Sequence, residues 1–179
     1  MHIDTMLYNS RPEGTLSEIE TRIYDQLDQL AIPYARASHE HADTIEACKE
    51  IEAILGAQIC KNLVVCNAQK TLFFLVMMPG DKKFLTKLLS KQLGTARLSF
   101  ASADDLDRLL RTTPGSVSVL ELIADASNQV GLVIDEDLME QDCIGCHPGT
   151  NTATLKLKTS DILEVFLPST GHKPTFVKL

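Results

Sequence analysis

The strongest constraint on the fold of this chain is the stretch Lys61–Gly80, in which two apolar segments flank a short polar turn. Val, Leu and Phe, which favour strands, dominate residues 61–66 and 71–79, and Pro79-Gly80 ends the second segment. The pattern predicts a buried β-hairpin. Lys61 stands at the start of its first strand, where a lysine either extends its charge to water or meets a phosphate or a developing negative charge.

Helical and strand patterns are interleaved along the rest of the chain. Ser17-x-x-Glu20 is a capping box, and Gly56 and Gly94 are typical residues for helix ends. Apolar spacing predicts helices at 16–30, 44–55, 82–93, 102–110 and 159–167. Apolar or alternating runs predict further strands at 32–38, 97–100, 130–135, 153–158 and 174–179. The sequence therefore predicts an α+β fold with a mixed, largely antiparallel, curved and barrel-like sheet flanked by helices.

The remaining segments lack regular patterns. Residues 1–14 contain Pro12 and Gly14 and are predicted to be a loose N-terminal lead-in, with a single domain over 15–179. Residues 143–152 are predicted to form a polar loop.

Composition limits the classes of function. The longest apolar run, at 72–78, is too short to span a bilayer, and the N-terminus lacks the features of a signal peptide. We therefore expect a cytoplasmic protein with five reduced cysteines and no membrane partner. The formal net charge of −7 argues against a broad DNA- or RNA-binding face. An enzyme that grips only one end of a nucleic acid remains compatible with it.

Cys143-x-x-Cys146-His147 matches the attachment signature of c-type haem. That attachment takes place in export compartments, so haem is not expected in a chain without an export signal. Zinc is the other interpretation, since two thiolates and an imidazole supply three ligands and Cys60 or Cys66 a fourth.

Other catalytic signatures are absent from the sequence, which has no nucleophile elbow, Walker loop, dinucleotide fingerprint or H-E-x-x-H motif. Four histidines are candidate general bases: His39, His41, His147 and His172. Ser116 and Ser118 follow Gly115 in a turn, which is either ordinary turn chemistry or a loop whose N–H groups face a substrate carbonyl or phosphate.

Five short motifs, in order along the chain, resemble the YbaK / prolyl-tRNA-synthetase-associated editing domain family. They are Lys61-Asn-Leu-Val-Val, Leu98-Ser-Phe-Ala-Ser102, Pro114-Gly-Ser-Val-Ser118, His147-Pro with Asn151-Thr-Ala-Thr154, and Gly171-His-Lys-Pro174. The similarity extends from the first helix to the C-terminus and is greatest to the free-standing, ProX-type members. Each motif is weak alone, but five in register are fairly specific.

The resemblance implies a barrel-like mixed sheet and hydrolysis, without a cofactor, of the ester that joins a wrong amino acid to the 3′ end of tRNA. The expected substrate is mischarged tRNA(Pro), carrying alanine first and cysteine next, and prolyl-tRNA synthetase is a possible partner. Lys61 matches the essential lysine of the family, and Gly115 the glycine of its substrate loop. His147 matches a pocket histidine. Residues implied more loosely around the same pocket are Ser116, Asn151, Thr152, His39 and Thr44.

One position departs from the family pattern. The substrate loop of the family reads Gly-x-x-x-Pro, and here Val119 occupies the place of the proline, which would have fixed φ and stiffened the loop. The amino-acid preference is therefore open, and Val119 joins the expected pocket residues. Two other functional classes stay open at this stage: a noncatalytic module that binds aminoacyl ends or amino acids, and a small zinc protein.

Overall fold

The computed structural model of the protein describes residues 2–42 and 44–179. Within that part of the chain, strands and helices alternate. The strands are β1 (Ile3–Tyr8), β2 (Ala35–His39), β3 (Gln58–Asn67), β4 (Phe73–Pro79), β5 (Leu98–Phe100), β6 (Val130–Asp135), β7 (Cys143–Cys146), β8 (Ala153–Lys158) and β9 (Pro174–Val177). The helices are α1 (Glu18–Gln29), α2 (Ile45–Leu55), α3 (Thr86–Leu93), α4 (Ala103–Leu110), α5 (Thr159–Asp161) and α6 (Leu167–Thr170), with a π-helical turn at Ile162–Phe166 between the last two. Two 3₁₀ segments occupy Val119–Ala124 and Glu136–Glu140.

The strands form one mixed sheet in the order β1-β2-β8-β7-β3-β4-β6-β9, and β5 pairs with β3 beside that path. Three neighbouring pairs are parallel, namely β3–β7, β4–β6 and β6–β9, and the others are antiparallel. The mixed, largely antiparallel α+β prediction is confirmed. The sheet is not closed, because no pairing joins β1 to β9 within the described part of the chain.

The predicted hairpin forms the centre of the sheet. Its first strand is longer than predicted, because β3 begins at Gln58 and Lys61 is its fourth residue rather than its first. The Asn67 side chain closes the turn by accepting hydrogen bonds from the backbone N–H groups of Thr71 and Leu72, at 2.9 and 3.1 Å. Those bonds satisfy donors that the turn would otherwise leave unpaired.

Alternation along β3 divides the core between the two faces of the sheet. Cys60, Val64 and Cys66 belong to the main core, which α1, α4 and the C-terminal helical segment cover. Val65 points to the other face and packs with Leu89 of α3. A third cluster under α2 completes the second face; its members are Ala37, Ile51, Leu55 and Ile59.

The helix signals of the sequence are confirmed at several ends. Ser17 caps α1 in a complete capping box with Glu20. Thr44 caps α2, and Gly56 ends it in the left-handed conformation with φ of 64°. Asp43, the residue before this cap, lies outside the described residues.

Two expectations for irregular segments are wrong. The predicted lead-in contains β1, which extends the sheet by pairing with β2. The predicted loop begins with β7, because Ile144 and Cys146 are buried and their backbone is satisfied by strands on either side. β1 has no buried residue and β7 has only four residues, so neither has a clear hydrophobic pattern.

The third helix is shorter than predicted. It begins at Thr86, and its buried residues include Leu89, whereas Leu85 and Leu88 are 50% and 36% exposed. The preceding residues stay irregular, and Lys82 in that segment forms ion pairs with Asp135 and Asp137. The prediction that Leu85 and Leu88 point inward is therefore wrong.

Gly80 sets the path of the chain between β4 and α3. A Cβ atom at this position would lie 2.5 Å from the carbonyl oxygen of Ile59, a backbone atom that cannot rotate away. Only glycine allows this approach, which brings the loop after β4 against β3.

We predict that Gly80→Ala lowers the free energy of unfolding by about 1–3 kcal/mol, because the added methyl group displaces the loop from β3. Denaturant unfolding measures the change. The matched control is Asp81→Ala at the next, exposed position, which should change stability by no more than about 0.5 kcal/mol. Equal stability of the two variants would contradict the close approach.

Candidate active site

Strands β3 and β7 pair over two residues only, and the sheet opens between them beyond that point. Gln58–Ile59 pairs in parallel with Ile144–Gly145. Farther along, β3 continues with β4 and β5, whereas β7 remains with β8. Lys61 and His147 each lie two residues past the last pair on their own strand, so both residues flank the opening.

Two buried cysteines fill the main-core face of this opening. The Cys60 and Cys146 sulfur atoms are 3.4 Å apart, and Asn62 Nδ2 donates to the Cys60 carbonyl and sulfur at 3.3 Å each. The hydrogen bond to Cys60, followed by burial, raises the pKa of Cys146. Cys146 is therefore a neutral thiol that seals the base of the opening. Sequence reasoning did not select Asn62, whose one signal was its place beside Lys61.

The two cysteines of the C-x-x-C-H motif lie on different faces of the sheet. Cys143 and Cys146 are three residues apart on β7, so their side chains point to opposite faces of the sheet. Among residues 2–42 and 44–179, no three His, Cys, Asp or Glu side chains are grouped so as to hold a metal ion. The zinc interpretation of the sequence is therefore not supported by the placement of these residues.

The loop that contains Gly115 meets the loop between β7 and β8 at Asn151. Gly115 has φ of +89°, a conformation that favours glycine, and a Cβ atom there would lie 3.7 Å from Asn151 Nδ2. Asn151 itself is buried. Two of the residues implied by the family resemblance are thus neighbours, although 36 positions separate them in the sequence.

Three other expected pocket residues have structural partners. The Ser116 N–H donates to the Thr113 carbonyl at 3.1 Å, so it is already used in the turn. Val119 is fully buried in the main core, where it can affect a pocket only through the position of the loop. Thr44 accepts from Ala47 N as the cap of α2. Their roles in substrate binding stay predictions.

A connected group of polar residues surrounds His39 at the end of β2. Its Nδ1 lies 2.8 Å from the Glu40 carbonyl, and its Nε2 lies 2.9 Å from the Thr154 hydroxyl. The backbone N–H of His39 donates to the Thr152 carbonyl at 3.0 Å. A carbonyl only accepts, so Nδ1 carries the proton and Nε2 of the neutral ring accepts from Thr154.

His147 lies beside this group, with its ring centroid 6.4 Å from that of His39. Its Nδ1 donates to the Ala153 carbonyl at 3.0 Å, which leaves Nε2 as the acceptor of a neutral ring. Burial lowers the pKa of both histidines, so both are neutral at physiological pH. No residue in the described part of the chain bonds to Nε2 of His147, which makes this atom available to a substrate hydroxyl, amine or water.

Lys61 is half-buried on the sheet face opposite Cys60. Its Nζ donates to the Lys82 carbonyl at 2.6 Å, in the loop that Gly80 holds against β3. An ammonium group has three donors, and one neutral carbonyl does not neutralise its charge. Lys61 therefore supplies a positioned cation at the edge of the opening.

Glu121 braces the Gly115 loop from within the core. It is fully buried; it accepts from Ser118 N at 2.9 Å and is joined to the Thr112 hydroxyl at 2.9 Å. Burial raises the pKa of this carboxyl to about 8. The side chain is consequently protonated at neutral pH and ties the two ends of the loop together without a buried charge.

The site residues lie apart from a surface cleft on the helical side of the protein. That cleft, of about 470 Å³, lies between α1 and α6, where Arg22, Gln26 and Ser169 are among its lining residues. None of the residues selected from the sequence lines it. We place the candidate site at the opening between β3 and β7 because Lys61 and His147 follow the last pair of the two strands, and His39 lies next to His147.

We predict that the free energy of unfolding of the wild type falls as the pH rises, and that Glu121→Gln removes the part of this fall that comes from Glu121. In the wild type, the raised pKa means that the folded state keeps a proton that the unfolded chain releases. This contribution is complete below about pH 4.5 and is lost as the pH rises through about 8. A glutamine can accept from Ser118 and donate to Thr112 but does not titrate.

Denaturant unfolding at pH 5.5 and pH 8.5 measures this difference. The wild type should lose at least about 1 kcal/mol more than the variant over the interval. Glu164→Gln, at an exposed position, is the matched control and should behave as the wild type. An unchanged slope in Glu121→Gln would contradict a protonated Glu121.

Comparisons with known proteins find a matching family model and several relatives. The model of the aminoacyl-tRNA editing domain family matches residues 39–165. The prolyl-tRNA editing protein ProX of Acetoanaerobium sticklandii is 34% identical over 147 residues, which cover 82% of this chain and 89% of that protein. Prolyl-tRNA synthetase associated domain-containing protein 1 of Mus musculus is 31% identical over 163 residues, covering 88% and 95%.

Solved structures share the fold. A suggested trans-editing enzyme for prolyl tRNA synthetase superposes with a TM-score of 0.66 at 19% identity, over 92% of this chain and 99% of that one. The hypothetical protein APE2540 superposes with a TM-score of 0.64 over 87% and 96%. No helix in the described part of the chain is both long and apolar enough to cross a membrane. The family model and the relatives together show that this chain belongs to the aminoacyl-tRNA editing domain family.

Proposed function

We propose that this protein is a trans-acting aminoacyl-tRNA deacylase that hydrolyses the ester of mischarged tRNA(Pro). Ala-tRNA(Pro) is the first expected substrate and Cys-tRNA(Pro) the next. The observation that carries the proposal is the 34% identity, over most of both chains, to a protein named for prolyl-tRNA editing. The positions of Lys61 and His147, which both follow the last pair between β3 and β7, support it.

The proposed reaction is attack of water on the ester carbonyl carbon. The tetrahedral intermediate then loses the ribose oxygen, which takes up a proton, and the products are the free amino acid and the tRNA. An aminoacyl ester is already activated, so positioning the water and stabilising the oxyanion are the main requirements. The family resemblance adds that the substrate's own ribose hydroxyl assists, which fits a site without a nucleophile motif.

Each residue has a role suited to its environment. Lys61 meets the phosphate or backbone of the tRNA 3′ end and fixes the ester in position. The Gly115 loop, next to Asn151, orients the ester through its main chain. His147, a neutral ring with Nε2 as acceptor, receives a hydrogen bond from the attacking water or from the amino group of the substrate.

Rejection of the correct amino acid would be steric. One methylene group changes binding by only about 1–3 kcal/mol, so a synthetase cannot fully exclude a smaller amino acid by affinity alone. A second site that admits only the smaller residue overcomes this limit. Loops braced by buried contacts, as Glu121 braces the Gly115 loop, suit a pocket of fixed size.

The partner implied by this role is prolyl-tRNA synthetase, the source of mischarged tRNA(Pro). The solved relative is described as a trans-editing enzyme for prolyl tRNA synthetase, and we propose the same association for this protein. The cytoplasmic location expected from the sequence is part of the proposal, since the substrate is made where translation takes place.

We predict selective hydrolysis when the purified protein is given tRNA(Pro) charged with Ala, Cys, Ser or Pro. Loss of the Ala ester, with slower loss of Cys and retention of Pro, is the expected result. Release of labelled amino acid measures it. If all four esters remain stable and the protein still binds aminoacyl ends measurably, the result would contradict the deacylase and support the noncatalytic binding module.

We predict that Lys61→Ala lowers kcat/KM for the preferred ester by at least about 100-fold, because the variant lacks the cation that positions the ester. Lys61→Arg should retain part of the activity, since it keeps the charge. Circular dichroism and denaturant unfolding verify the fold, and Lys158→Ala, at an exposed position, is the matched control. Full activity of Lys61→Ala would contradict the role of Lys61 in positioning the ester.

A further inference from the structure

Positive charge is concentrated in one segment of this acidic protein. Residues 82–103 contain five of the 17 Lys and Arg residues and none of the 24 acidic residues. The rest of the chain therefore carries 12 basic side chains against 24 acidic ones. Four of the five project from α3 and the chain before and after it, and we call them the basic surface: Lys83, Lys87, Lys91 and Arg97.

The basic surface is exposed and has no internal acidic partner. All four side chains are exposed, and none of them forms an ion pair within the described part of the chain. The fifth residue, Lys82, differs, because it is half-buried and paired with Asp135 and Asp137. The charges of the basic surface are thus available to an external anion.

A concave cleft lies within the basic surface. It has a volume of about 540 Å³ and is lined by Thr86, Lys87, Ser90 and Arg97. Lys87 and Arg97 supply two cations and Thr86 a hydroxyl, which is the chemistry that recognises phosphate oxygens, and a cleft of this size accommodates a nucleotide. The Ser90 hydroxyl is already used, because it donates to the Thr86 carbonyl and accepts from Leu98 N. The ligand that fits this cleft is a phosphate group carried on a larger molecule.

The basic surface and the candidate active site share one face of the sheet. Lys61 and Val65 alternate on the same side of β3, and Val65 packs with Leu89 of α3. The loop between β4 and α3 connects the two regions directly, since Lys61 Nζ donates to the carbonyl of Lys82, one residue before Lys83. A polyanion bound along α3 can therefore reach Lys61 without crossing the sheet.

An exposed aromatic side chain lies beside this path. Phe100 is 61% exposed on β5, and its ring centroid is 5.9 Å from that of Phe84, which precedes α3. Aromatic faces next to a cationic groove are typical of surfaces that hold single-stranded RNA, because unpaired bases stack on them. This feature favours RNA over an acidic protein or a lipid surface.

We propose that the basic surface binds the phosphate backbone of the RNA whose aminoacylated 3′ end enters the opening at Lys61. This inference rests on the proposed function and adds the face by which the tRNA is held. The backbone phosphates of the acceptor stem lie on α3, and the unpaired terminal bases pass Phe100. The remaining, acidic surface repels RNA and limits the orientations in which it binds.

The test compares two variants that remove equal charge. Lys87→Gln/Lys91→Gln alters the basic surface, and Lys158→Gln/Lys173→Gln alters two exposed lysines elsewhere. Filter binding of uncharged tRNA(Pro) over a range of salt concentrations gives the dissociation constant and its salt dependence. The first variant should bind at least about fivefold more weakly, with a salt slope reduced by about 1–2, and the control should stay within about twofold of the wild type.

Deacylation of two substrates separates this inference from the proposed function. Lys87→Gln/Lys91→Gln should lose kcat/KM on full-length mischarged tRNA but keep wild-type activity on an aminoacylated CCA trinucleotide, which lacks the acceptor stem. If the protein hydrolyses the ester but the two double variants bind tRNA equally well, the RNA-binding role of the basic surface is overturned and the deacylase proposal stands. If the wild type hydrolyses neither substrate but only Lys87→Gln/Lys91→Gln binds tRNA weakly, the deacylase proposal is overturned and the RNA-binding role of the basic surface stands.

A membrane role is the other outcome that would overturn the inference. Vesicles containing phosphatidylserine would then bind the wild type and not Lys87→Gln/Lys91→Gln, while tRNA binding would be the same for both proteins. Thermal unfolding of the two variants verifies that each is folded, which is expected for exposed lysines without internal partners.

Discussion

The short parallel contact between β3 and β7 is the constraint on which the site depends. Two residue pairs hold the two halves of the sheet together, and the strands then follow different partners. A sheet that continued in register would bury its backbone groups in hydrogen bonds and leave no room for a ligand. The early separation instead places Lys61, a residue of β3, on one side of an opening and His147, the residue directly after β7, on the other.

The opening is kept in shape by contacts that are buried and largely uncharged. The Cys60 and Cys146 thiols touch at its base, and a protonated Glu121 ties down the Gly115 loop. Neutral groups avoid the cost of burying an ion, so the loops can be fixed without a desolvation penalty. Lys61 is the exception, and it lies at the edge, where its charge remains partly solvated. This division suits a site that must be rigid in shape and still attract an anion.

The sequence predicts the central hairpin, most helix ends and the mixed sheet because each depends on local chemistry. The Ser17 capping box and the Gly56 helix end are examples, since their signals lie within four residues of the feature they specify. Strands β1 and β7 are different, because they are defined by pairing with strands distant in the sequence. Whether the sheet is open or closed likewise depends on whether its edge strands pair with each other, and no local sequence pattern encodes that pairing.

The candidate site divides in the same way. Lys61, Gly115 and His147 stand in short motifs that a family resemblance can identify one by one. The partners that the fold gives these residues are not visible in the sequence. The same holds for Ser116, whose N–H bonds to Thr113, and for Val119, which is buried in the main core. Asn62 and Glu121 were missed for a related reason. A buried polar residue is conspicuous only once its burial is known, and in the sequence it resembles any surface residue.

The charge distribution resolves an apparent conflict between an acidic protein and the RNA substrate that we propose for it. A net charge of −7 opposes nonspecific binding, because most approaches bring RNA phosphates toward carboxylates. Concentrating five basic residues in one segment gives attraction from a single direction only. Long-range repulsion elsewhere and attraction at α3 then orient the RNA before contact, and the face they select is the one that carries Lys61. A small editing domain can in this way favour the 3′ end over the rest of a tRNA without a large binding interface.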